Sequence, residues 1–135
     1  MIRHPKKYSI DEVFAFVRQH IDLETAIITG TRKYRQRFDF DGDMMKPWSL
    51  RYFTFILKGT KCATCGVQAT HFYKEKNLPD DRYHFNLYGI DAKGEEVLFT
   101  KDHHNPRSND GKDEMDNFVT MCTVCNMEKG STLPE

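Results

Sequence analysis

A chain of 135 residues fits one domain with at most a short extension, and it can bury only a modest core. Charged residues at 30% and a mean hydropathy of -0.69 describe a soluble protein, and no apolar run approaches the roughly 20 residues that a membrane span needs. Net charge is zero, but residues 1–60 carry 11 Lys/Arg against 7 Asp/Glu and residues 61–135 carry 9 against 13, so the first half can supply phosphate contacts and the second can hold metal.

The start, Met1-Ile2-Arg3-His4-Pro5-Lys6-Lys7, is basic with no apolar stretch behind it. No secretory signal is expected, and the setting is cytoplasmic. Ser9 and Glu12 make a capping box, and Ile10, Val13, Phe14, Val17 and Ile21 recur at helical spacing, which predicts an amphipathic helix over 10–21. Residues 30–47 read as irregular. Within them, Thr31-Arg32-Lys33-Tyr34-Arg35-Gln36-Arg37 is either a grip on a DNA backbone, through Arg32, Lys33, Arg35 and Arg37, or an ordinary solvated segment. Asp39-x-Asp41-Gly42-Asp43 faintly resembles a calcium loop, but the glutamate an EF-hand needs at its twelfth position falls on Leu50. Ser49 caps a second predicted helix, 49–58, with Leu50, Phe53 and Leu57 on one face and Gly59 as its stop.

Beyond residue 60 the texture changes. Cys62-Ala63-Thr64-Cys65-Gly66 reads as a knuckle, a tight turn whose amides can donate to thiolates. Residues 82–90 and 96–102 are rich in β-formers and are joined by Asp91-Ala92-Lys93-Gly94-Glu95, which predicts an antiparallel hairpin. An irregular stretch over 106–116, a short apolar strand at Phe118-Val119 and a helix beginning near Cys125 complete the chain. The division is therefore 1–60 as a helical accessory region and 61–135 as the core.

Cys62-x-x-Cys65 and Cys122-x-x-Cys125 have the same spacing. Without a thioredoxin-like βαβ setting, paired Cys-x-x-Cys turns read as one four-thiolate zinc site, not a redox dithiol. Such a site closes the 56 residues 66–121 into a loop and turns metal affinity into folding free energy. Four protein ligands leave no open position, so the zinc is structural. His71 and His84 are expected to pack within strands.

The run from Asp102 to Gly130 carries the chemistry: Asp102-His103-His104-Asn105-Pro106-Arg107-Ser108, then Asn117, then Cys122-x-x-Cys125-Asn126-x-x-Lys129-Gly130. It resembles the HNH endonuclease family, whose pattern is Asp-His-x-x-Pro-x-Ser, an Asn five residues before a cysteine pair, then Cys-x-x-Cys-Asn/His-x-x-Lys. The hairpin leading into Lys101-Asp102-His103 is also similar to small stand-alone HNH proteins of phages, for which the location would be the host cytoplasm. Residues 1–59 carry no such likeness and are open to a protein partner.

The resemblance implies an α+β fold with a zinc-stapled ββα-metal (His-Me finger) core and a helical N-terminal region. It implies a metal-dependent DNA endonuclease, possibly one that nicks, acting on double-stranded DNA and leaving 5′-phosphate and 3′-hydroxyl ends. Carried over by position, His103 is the general base, Asp102 and Asn126 are ligands of a catalytic divalent ion, and Asn117 pins the loop and orients the imidazole. Lys129 and Arg107 contact DNA phosphates. An imidazole titrates near neutrality and suits the deprotonation of water, and a divalent ion can neutralise charge developing on phosphate oxygens. The family's last ligand is often His; Asn126 offers only an amide oxygen, which favours Mg2+ or Mn2+ over Zn2+ or Ni2+. The usual Gly-Gly of the loop is Asp110-Gly111, and His104 stands where an aliphatic residue is usual and is expected to pack.

Two other readings compete. One is a non-catalytic zinc-ribbon module on an HNH scaffold that binds DNA or protein. The other is a nuclease for RNA or single strands, for which Tyr83 and Phe85 would have to offer stacking faces on one side of their strand while Tyr88 falls on the other.

Overall fold

The computed structural model describes residues 1–29, 35–103 and 115–129. Arg32, Lys33, His104, Arg107, Asp110 and Gly111 lie outside the described residues. The elements are β1 (Ile2–Ser9), α1 (Ile10–His20), α2 (Leu23–Thr29), β2 (Phe38–Phe40), β3 (Asp43–Met45), α3 (Leu50–Lys58), β4 (Ala69–Lys76), β5 (His84–Ile90), β6 (Glu96–His103), β7 (Phe118–Cys122) and α4 (Thr123–Lys129), with a 3-10 turn at Met115–Asn117. Five strands form one antiparallel sheet in the order β1-β4-β5-β6-β7, and β2 and β3 make a separate hairpin.

The expectation of a helical N-terminal region is corrected. The basic start is strand β1, which pairs with β4 (Tyr8 opposite Phe72), and residues expected to be irregular contain the β2–β3 hairpin. The reason is mutual burial. In α1, Val13, Phe16 and Val17 are buried, and they join Phe53 and Phe55 of α3, Phe72 of β4 and Phe85 and Leu87 of β5 in one cluster. Phe16 meets Phe40 and Phe85 edge-on, with centroids 5.1 and 5.9 Å away, an arrangement aromatic quadrupoles favour.

Helix α1 starts on the expected capping box, Ser9 accepting from Glu12 N and Glu12 accepting from Ser9 N. Helix α3 departs from its predicted face. Phe53 is buried, but so are Tyr52, Thr54 and Phe55, while Leu57 is 46% exposed. The helix lies between α1 and strands β6 and β7, so most of its circumference is covered and a one-sided pattern no longer applies.

Two buried charges organise the other edge. Lys74 is fully buried; its ammonium donates to Phe40 O at 2.6 Å and to Asp43 at 2.9 Å, tying the β2–β3 hairpin to β4. Glu75 is also buried and accepts from Asn86 (2.8 Å), Tyr88 and Arg3 (2.8 Å), which anchors β1. Burial pushes the Glu75 carboxyl up, but the Tyr88, Asn86 and Arg3 donors outweigh it and the net shift is down. A depressed carboxylate contributes stability that is complete above the ordinary glutamate range and is lost as pH falls through the folded value. Glu75→Gln should therefore cost about 2 kcal/mol at pH 7, with the wild-type advantage shrinking below about pH 4. Urea midpoints of both proteins at pH 7 and pH 3 measure this, and a pH-independent difference would contradict it.

Gly89 of β5 shows how close the neighbouring strand lies. A Cβ there would sit 2.6 Å from Gln68 O, 3.0 Å from Phe99 Cε1 and 3.1 Å from Ala69 Cα. Backbone atoms cannot swing aside, so Gly89→Ala should cost on the order of 1–3 kcal/mol. Thermal melts read this directly, and an unchanged melting temperature would refute the close approach.

Candidate functional site: a four-thiol cluster beside an Asp-His strand end

The predicted knuckle forms between α3 and β4. Cys62 N donates to Val67 O and Gly66 N to Cys62 O, and Gly66 takes φ 81°, a left-handed conformation that glycine adopts without strain. Ala63 N donates to Thr120 O (2.9 Å), which docks the knuckle on β7. Cys122 ends that strand and Cys125 lies in the following helix, so the second pair comes from a strand–helix junction.

The ligand atoms of Cys62, Cys65, Cys122 and Cys125 all lie within 4.8 Å of one another, and Cys65 Sγ is 3.8 Å from Cys122 Sγ. A tetrahedral ion with zinc–sulfur bonds of about 2.3 Å has sulfur–sulfur edges of about 3.8 Å, so the four thiols fit a structural metal such as zinc. Their electrostatics fit as well. Burial pushes the Cys62 thiol up, yet amides of Cys122, Cys65 and Thr64 donating to its sulfur bring it down to about 6. Burial pushes Cys122 up against the Cys125 amide and thiol that draw it down, and burial with the other three sulfurs pushes Cys125 up. One thiolate forms readily; four packed together need a cation.

Strand β6 divides its partners. Its first residues pair with β5 (Tyr88 opposite Leu98), and its last five pair with β7, ending with Asp102 opposite Val119 and His103 opposite Phe118. Asp102 and His103 therefore stand at the strand's far end, held by β7 and by α4, which packs across β6 and β7. The His103 ring meets the Phe118 ring edge-on at 5.2 Å. Asn117 directly precedes Phe118, one step past the last paired residue.

Lys129, in the last turn of α4, donates to His103 O at 2.7 Å and stands 3.2 Å from Asp102 Oδ2. Residues three apart share a helix face, so Asn126 lies one turn earlier on the side of α4 that Lys129 presents to β6. Asp102 Oδ1 accepts from His103 N at 2.8 Å. Its Oδ2 is buried and accepts no hydrogen bond; Lys129 is near enough for an ion pair but off the hydrogen-bond direction. A buried carboxylate oxygen with a lone pair to give is what a divalent cation would take. The structure thus gathers Asp102, His103, Asn117, Asn126 and Lys129 around the end of β6.

Among the DNA-contact candidates, Arg35 is exposed and Arg37 is half-buried in a cleft. That cleft, of about 620 Å³, runs from Arg37 past Lys46, Trp48 and Arg51 to Arg82 and Lys101. Sequence reasoning missed all of these but Arg37: they are spread over 65 positions (37–101) and no linear motif links them. His71 is buried against Tyr73 and Tyr88, as expected of a packed residue, whereas His84 lines the cleft. Of the two rings on which unpaired bases would stack, Tyr83 is half-buried and lines the cleft, and Phe85 offers no face. Phe85 is fully buried and Tyr88 is 9% exposed, because both pack inside the sheet's layers.

Two antiparallel strands, the first ending in Asp-His, with a helix packed across both and a four-thiol cluster at their junction, form a ββα unit within a mixed α+β protein. Residues 89–132 match the model of the HNH endonuclease family, and this span takes in β6, β7, α4 and the second cysteine pair. The HNH match implies a nuclease, a hydrolase of nucleic acid, and HNH nucleases act on DNA. No curated protein and no solved structure matches the chain. Among the described residues, no helix is long and apolar enough to cross a membrane.

Proposed function

We propose that this chain is a divalent-metal-dependent DNA endonuclease that hydrolyses phosphodiesters of double-stranded DNA with His103 as general base. The observation that carries the reading is Asp102-His103 at the end of β6, facing α4 inside the span that matches the HNH family. Residues 61–135 are the nuclease unit, and residues 1–60 are an accessory region packed on it.

In this reading the His103 imidazole takes a proton from water as the water oxygen bonds to phosphorus and the bond to the 3′ oxygen breaks, leaving a 5′-phosphate and a 3′ oxygen that takes a proton from solvent to become a hydroxyl. Asp102 and Asn126 would hold Mg2+ or Mn2+, which would supply positive charge near the phosphate oxygens. Asn117, beside the strand end, pins the loop that orients the imidazole. Lys129 moves from Asp102 to a phosphate oxygen, exchanging one anionic partner for another. Arg35 and Arg37 contact the DNA backbone, as do Arg32, Lys33 and Arg107.

The test is a supercoiled plasmid incubated with Mn2+, Mg2+ or chelator. Nicked or linear product that requires the divalent ion supports the reading, and conversion that persists in chelator overturns it. The second reading, a non-catalytic zinc-ribbon module binding DNA or protein, draws on the Lys129–Asp102 ion pair, which competes with a cation for the carboxylate. That reading expects binding to DNA or to a protein with no cleavage in any metal.

A further inference from the structure

We infer that the cleft between the start of α3 and strands β5 and β6 seats backbone phosphates of a nucleic-acid strand, next to the phosphate offered to His103. The inference rests on the nuclease reading only for the second phosphate; the cleft's preference for a polyanion stands on its own chemistry.

Among the described residues, five cations line it, Arg37, Lys46, Arg51, Arg82 and Lys101, and no aspartate or glutamate does. In a chain of net charge zero this is a local concentration of positive charge, not a general property of the surface. Arg37, Lys46 and Arg82 form no ion pair among the described residues. Burial and then the Arg82 charge push the Arg37 guanidinium down, and burial and then Arg51 push His84 down. The cations therefore work against one another, and a bound anion would relieve that repulsion.

Two buried donors reinforce the assignment. Trp48 Nε1 and Arg51 Nε are both shielded from solvent and have no hydrogen-bond partner, although Arg51 spends its other arm on Phe85 O. Buried N–H groups are normally satisfied, so an acceptor is expected opposite them. The first turn of the nine-residue α3, capped by Ser49, also borders the cleft, and the N-terminal dipole adds to the positive field.

The cleft's lining ends at Lys101, two residues before His103. Lys101 and His103 are two residues apart on one side of the strand, about 7 Å by strand rise, and both meet Phe118: the Lys101 ammonium lies 4.2 Å from its ring centroid and the His103 ring 5.2 Å. A strand whose phosphate reaches His103 would carry its neighbouring phosphates past Lys101 into the cleft. A cleft of about 620 Å³ lined by several cations suits a repeated phosphate better than one small anion.

The test uses fluorescence anisotropy of a labelled 20-base-pair duplex, with the His103→Ala protein as parent so that the DNA stays intact. Adding Lys46→Ala and Arg82→Ala should weaken binding at least about tenfold at 0.1 M salt. The slope of log affinity against log salt should fall by roughly 2, near 0.9 for each phosphate no longer neutralised. Trp48→Phe, which keeps an aromatic side chain and removes the N–H, should weaken binding a few-fold with the slope unchanged. In the protein retaining His103, the Lys46→Ala/Arg82→Ala double variant should turn over a small chromogenic phosphodiester as before, since that substrate does not extend into the cleft. Unaltered affinity and slope in a double variant of normal melting temperature and zinc content overturns the inference, as does a parent with no affinity for DNA. An equal loss on the small ester also overturns it. If the wild type cleaves nothing while the double variant loses DNA affinity, the cleft stands and the nuclease reading falls.

Discussion

His103→Ala is expected to lower the rate of metal-dependent DNA cleavage by about 10²- to 10⁴-fold, the usual contribution of a positioned general base. Fold and DNA affinity should be spared. The ring meets Phe118 edge-on at 5.2 Å at the end of a two-strand ladder, and two hydrogen bonds that tie residue 103 to its surroundings run through its backbone, N to Asp102 Oδ1 and O from Lys129 Nζ. Alanine keeps both. The loss should therefore appear in kcat, with the melting temperature within a few degrees of wild type. Wild-type cleavage by the variant removes His103 from the mechanism. Loss of DNA affinity in step with activity would mean that the imidazole serves binding.

Cys122→Ser is expected to have the largest effect on stability. Cys122 is buried, its sulfur stands 3.8 Å from Cys65 Sγ, and its amide donates to Cys62 Sγ at 3.4 Å, so it touches both members of the other pair. Structural zinc contributes an apparent ~10–16 kcal/mol in small thiolate sites at pH 7, against a total stability of ~5–15 kcal/mol for a domain of this kind. Losing one thiolate should thus release the metal and abolish the cooperative melt. The knuckle and the β7–α4 junction are joined by few other bonds, chiefly Ala63 N to Thr120 O and Thr120 Oγ1 to Gly59 O. Metal content of the purified protein and its circular-dichroism melt read the outcome. A metal-free variant that melts like wild type would refute the staple.

Local signals were legible in the sequence. The Ser9/Glu12 box, the paired Cys-x-x-Cys turns and the hairpin around Asp91 each span only a few residues, so short-range geometry determines them. The Asp91 carboxylate, for instance, accepts from the Lys93 and Glu95 amides. The Asp102-to-Gly130 pattern likewise named the residues that collect at the end of β6, and the family match over 89–132 supports the class of chemistry.

Only the tertiary structure decided the rest. Strand β1 reads as a polar, Pro-containing run, and it becomes a strand because the free edge of β4 offers it a ladder and Arg3 meets the buried Glu75. Lys74 reads as a surface residue; it is buried because the β2–β3 hairpin folds over it and presents Asp43 and two carbonyls. Arg37 apart, the cleft's cations, Lys46, Arg51, Arg82 and Lys101, leave no mark on any window of sequence. Spacing along the chain determined which atoms could share a metal, because such ligands sit on single turns and adjacent elements. Electrostatic fields and sheet edges belong to residues far apart in the chain, and only packing brings them together.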